Sequence, residues 1–173
     1  MKRLIVLAAI LLIAVAAFAQ LQVGGTAMFN YPILADGATD SIDVSNFTFG
    51  ADARFKILLF QVSGLALYTP GSTETLTPPI IDLFVDGGVA FDIAMIRLGL
   101  GAGPNLRFAV GGDNDDPMGY GLNVKATADV MLGRLSVGLT YLNSFELDLS
   151  QAGDLLNQDY SKGLLGVSVL VGL

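Results

Sequence analysis

Apolar and polar side chains alternate without a break along residues 46–57, NFTFGADARFKI. Phe47, Phe49, Ala51, Ala53, Phe55 and Ile57 fall on one side; Asn46, Thr48, Gly50, Asp52, Arg54 and Lys56 fall on the other. A period of two residues places these sets on opposite faces of a β-strand. The same phase recurs at 21–31, 58–69, 81–93, 96–108, 120–130, 134–147 and 164–173, which predicts eight strands in all. The third and eighth are the weakest, because Leu65, Leu67 and Leu170 interrupt their second faces. No segment of helical period and useful length stands out, apart from a possible turn of helix at 150–158.

The connections order these strands. Strands two and three, four and five, and six and seven meet almost directly, with bends at Ile57-Leu58, Ala94-Met95 and Leu132-Gly133. The intervening connections, 32–45, 70–79, 109–119 and 148–163, are long and polar. Strict alternation of short and long predicts an antiparallel up-and-down sheet with every long connection at one end. An even strand count with short turns at one rim and long loops at the other is the pattern of a transmembrane β-barrel. Strands near 11 residues, tilted by about 45°, suffice to cross the bilayer.

The opening MKRLIVLAAILLIAVAAFA reads as a cleavable secretion signal: Lys2 and Arg3, an apolar run, then Ala17-Phe18-Ala19 as a small-x-small cut site. Residues 1–19 are therefore expected as signal peptide and 20–173 as a single barrel domain. The later chain holds no other apolar run long enough for a spanning helix.

Alternation alone does not say which face meets the surroundings, since a soluble lipocalin-like barrel shows it too. Composition bears on this. Charged residues make up only 14% of the chain against 53% hydrophobic, whereas soluble domains average about 25% charged. The placement of charge is more telling. Arg54, Lys56, Arg97, Arg107, Lys125 and Arg134 fall on the polar strand faces, matched there by Asp52, Asp82, Asp86, Asp92, Asp129 and Glu146. The ten other acids lie in the four long connections. An enclosed volume demands such balance, because an unpaired buried charge costs several kcal/mol. Glycines on the same face, among them Gly24, Gly50, Gly99, Gly101 and Gly138, suit a crowded lumen. The Phe row is thus expected to face lipid and the charges to form a structural network in the lumen.

With signal, strands and loops in place, residues 20–173 resemble the small eight-stranded outer-membrane barrels of diderm bacteria, the OmpX/OmpW/OmpA type. The resemblance implies the bacterial outer membrane as location, with outer-membrane lipid and the barrel insertion machinery as partners. Tyr31, Tyr68, Phe108, Tyr120 and Tyr141 fall near strand ends on the apolar face, where an interfacial girdle belongs. Two features depart from the pattern: the chain ends in Leu173 rather than Phe, and it has no tryptophan.

Candidate chemistry is sparse. Histidine and cysteine are absent, which removes the Ser-His-Asp arrangement and thiolate metal sites, so neither enzyme activity nor a cofactor is expected. GGDNDDPMG at 111–119 lacks the spacing of a calcium loop, although acidic loops of this kind offer weak divalent-cation contacts. GLGAG at 99–103 sits within a strand rather than before a helix, so it is no dinucleotide site. A net charge of −7 argues against nucleic acid. The leading expectation is a non-enzymatic outer-membrane barrel with a filled lumen and acidic loops, in a structural or surface-interaction role. A narrow route for small or hydrophobic solutes and a secreted lipocalin-like carrier are the alternatives.

Overall fold

A computed structural model describes residues 19–29, 47–71, 78–110, 118–146 and 163–173. They form eight strands: β1 (Ala19–Phe29), β2 (Phe47–Ile57), β3 (Phe60–Thr69), β4 (Ile80–Ile93), β5 (Ile96–Ala109), β6 (Met118–Leu132), β7 (Leu135–Glu146) and β8 (Leu164–Gly172). Each strand pairs antiparallel with its neighbours in sequence. Pairing of β1 with β8, from Gln22↔Gly172 to Phe29↔Leu165, closes the sheet into a barrel. Closure leaves no open edge, so every strand has a pairing neighbour on both sides. Residues 1–18, nearly all of the expected leader, lie outside the described set, as do the interiors of the long connections, GGDNDD at 111–116, Tyr31 and the stretch at 150–158. Ala19, the expected last leader residue, opens β1 opposite Ile57.

Two-residue turns join the three tight hairpins, at Leu58-Leu59, Ala94-Met95 and Gly133-Arg134. Two of these sit one residue beyond the expected bends. Their first positions have positive φ, 57° at Leu58, 53° at Ala94 and 67° at Gly133, as mirror-image hairpin turns require. The shift moves Arg134 off the strand: it is exposed in its turn, not on the inward face where alternation had put it.

Strand parity then sorts the side chains. By strand parity, outward positions hold Leu, Val, Ile, Phe, Ala, Gly, Tyr, Pro and Met, with Asn143, paired to Val124 and buried, as the polar exception; no outward strand position among the described residues is charged. Val85, Leu100 and Leu139 are 56%, 57% and 52% exposed. The Phe row of β2 is part of this outer surface, with Phe49 and Phe55 both exposed. Aromatics gather toward the two rims. Near the long-connection end Phe47 stacks on Phe49 and meets Phe29 at a tilt, with Tyr68 and Tyr120 exposed there too, while Phe60 and Phe91 lie toward the short turns.

Candidate functional site: the barrel interior

Inward positions alternate with the apolar exterior and build the lumen in layers. Nearest the short turns, Lys56 of β2 and Arg97 of β5 share the carboxylate of Asp92 on β4, at 2.5 Å and 2.6 Å. The other Arg97 nitrogens donate to Gln22 Oε1 at 2.8 Å and to Gln20 Oε1. A vestibule of about 220 Å³ opens on this rim, lined by Gln20, Gln22, Arg97 and Arg134 among others.

At mid-height Arg54 is almost fully buried and holds two acids. Its Nε and Nη2 donate to Asp52 Oδ2 at 2.9 Å and 2.7 Å, and Nη1 donates to Asp129 Oδ2 at 2.7 Å. Lys125 Nζ stands 3.1 Å from Asp86 Oδ2 and 3.7 Å from Asp52 Oδ1. Ser63 donates to the same Asp86 oxygen at 3.1 Å. Thr140 Oγ1 accepts from Arg54 and joins Ser168 and Thr26 in a hydroxyl chain across β7, β8 and β1. Glycine makes this density possible: a Cβ at Gly138 would run into the Asp129 carboxylate.

Toward the long connections the filling becomes largely apolar, with Asn105 and Asn123 as its buried polar members. Met28, Leu65, Leu67, Phe84 and Leu142 point inward, each at most 3% exposed, with Leu164 packed against them. Beyond them polarity resumes, with Arg107 Nε donating to Asp82 Oδ1 at 2.7 Å and Thr48 bonded to Thr69 at 2.8 Å.

Every interior ion of the described set is therefore paired: Arg54, Lys56, Arg97, Arg107 and Lys125 with Asp52, Asp82, Asp86, Asp92 and Asp129. Matched partners offset the several kcal/mol that each ion loses on leaving water. Of the residues expected in the lumen, Arg134 stands apart in its turn. Glu146 ends β7, and its side chain lies outside the described set. The expected list omitted Gln20, Gln22, Ser63 and Thr140, whose inward phase was visible but whose neutral side chains gave no chemical cue. It also omitted the apolar layer, although Leu65 and Leu67 had shown as breaks in the alternation. Among the described residues no group of His, Cys, Asp or Glu is arranged to hold a metal ion.

This fold is that of the small eight-stranded outer-membrane barrels. The sequence matches no described protein family and no curated protein. Among solved structures, the chain is similar to the N-terminal β-barrel domain of Pseudomonas aeruginosa OprF. The TM-score is 0.60 at 8% identity, over 90% of this chain and 98% of that one. Ail, the attachment invasion locus protein of Yersinia pestis, overlaps more loosely, with a TM-score of 0.48 at 16% identity over 89% of this chain and 95% of that one. At such identities the likeness is one of fold.

Proposed function

We propose that the chain is a non-enzymatic integral outer-membrane β-barrel protein. Its lumen is filled by its own side chains, and its acidic long connections face outward from the cell in a structural or surface-interaction role. The single observation behind this reading is the inverted polarity: charge-free outward strand faces around an interior of paired ions. A soluble carrier needs the opposite arrangement, a solvated exterior around an apolar cavity. Lipid therefore surrounds the outward belt, and the insertion machinery is the partner during assembly. The ionic network is structural, since each interior acid is matched by Arg or Lys, and weak divalent-cation contacts belong to the acidic connections. A solute route is the weaker reading, because eight strands leave an interior that side chains can fill.

Envelope fractionation combined with gel migration before and after boiling tests the proposal. The protein is expected in the outer-membrane fraction, with a folded band that shifts only on heating. Recovery as a soluble monomer without detergent would refute it.

A further inference from the structure

The lumen is not uniformly filled, and the order of its layers assigns a barrier. From the short-turn rim, polar groups run continuously inward: the vestibule, the Lys56–Asp92–Arg97 cluster, then the Arg54 and Lys125 layer. Lys125 lines a small cavity of about 10 Å³. Gln61 Oε1, Asp86 Oδ1 and Thr127 Oγ1 belong to its lining residues, and none of these atoms has a hydrogen-bond partner within the protein. A single water needs about that much room and two to four polar partners. The short-turn half of the lumen is thus built to take water.

The next layer is mostly apolar, its polar members being Asn105, paired in register with Phe84, and Asn123, whose Nδ2 donates to the carbonyls of Gly103 and Pro104. Met28, Leu65, Leu67, Phe84 and Leu142 offer no hydrogen-bonding side-chain group. Glycines paired in register beside two of these side chains leave them room. A Cβ on Gly50 would lie 2.8 Å from Leu67 Cδ2, and one on Gly166 would lie 2.7 Å from Met28 Cγ. Arg and Asp can exchange their mutual hydrogen bonds for water; an apolar constriction cannot, and it blocks ions by staying dry. The Asp82–Arg107 pair lies beyond it, at the long-connection mouth.

We propose that this apolar layer, rather than the ionic network, is the permeability seal of the barrel. The inference rests on the membrane reading above. The refolded protein is tested in planar bilayers, with gel migration before and after boiling reporting the fold of each variant. The parent and Asp82→Asn, which breaks the pair at the mouth, are expected to remain silent. Leu67→Ser combined with Phe84→Ser is expected to produce discrete conductance steps. If the double variant does not fold, Leu67→Thr introduces one hydroxyl at smaller volume cost and is expected to open less often. A folded seal variant as silent as the parent overturns the proposal. So do steps from the parent, or from Asp82→Asn with the apolar layer intact. Loss of the heat-shifted band in the parent would instead strike the membrane reading itself.

Discussion

Arg54 shows what a single residue can decide in this molecule. Its guanidinium holds Asp52 and Asp129 from two strands, with all three side chains at most 1% exposed. Arg54→Met leaves Asp129 without its partner and Asp52 with only the distant Lys125. Breaking a buried pair in this way costs about 3–5 kcal/mol, to be read as a lower urea midpoint for unfolding from lipid vesicles. Arg54→Lys is expected to recover only part of the loss, since one ammonium cannot reproduce the planar fork that spans two carboxylates. Lys56→Met is the contrast. Asp92 is more open, with its side chain 27% exposed, and keeps Arg97, so a cost of about 1 kcal/mol or less is expected. Alternation around Asp52 and Arg54 made their shared face legible in the sequence. The pairing of Arg54 with Asp129, 75 positions away, was not, because it depends on barrel closure and register.

At the scale of elements, β5 contains an apparent contradiction in Pro104. Proline has no N–H to give a ladder and is rare in a strand paired on both sides. The β4–β5 ladder accordingly skips Val85 and Asp86, resuming at Gly87↔Ala102. Asn123 on β6 reaches across, its Nδ2 donating to the carbonyls of Gly103 at 2.9 Å and Pro104 at 3.2 Å. Asn123→Ala is expected to lower stability by about 1–3 kcal/mol by leaving buried acceptors unpaired, measured as a urea midpoint. The turns make the opposite kind of prediction. Ala94 holds φ of 53°, a left-handed conformation that costs a non-glycine residue roughly 1–2 kcal/mol. Part of that relief in Ala94→Gly is offset by the freer unfolded chain. The variant is expected to raise the midpoint modestly, and Gly133→Ala to lower it. Element number and phase could be read from sequence because the period is short and repeats along every strand. The turn positions were displaced because adjacent apolar residues such as Leu58 and Leu59 fit either a strand end or a bend. Glycine marks the required conformation only at Gly133.

For the whole molecule, the decisive property is polarity turned inside out, and depth provides its test. Leu100 lies near the middle of β5 and is 57% exposed on the outward face; Ile93 adjoins a short turn and is 62% exposed. To a soluble barrel the two positions are alike, and arginine at either improves solvation. In a bilayer they differ. A basic residue on the lipid face costs about 2–4 kcal/mol at the midplane and falls to about 0–1 kcal/mol near the interface. Leu100→Arg is therefore expected to lose most of the stability measured by reversible folding into vesicles across a urea series, while Ile93→Arg stays close to the parent. The gradient matters more than either value, because local packing contributes to both sites whereas only a hydrocarbon slab orders them by depth. Equal costs at the two positions, or a gain at Leu100, would remove lipid from the account of this exterior and leave the paired interior without the setting that explains it.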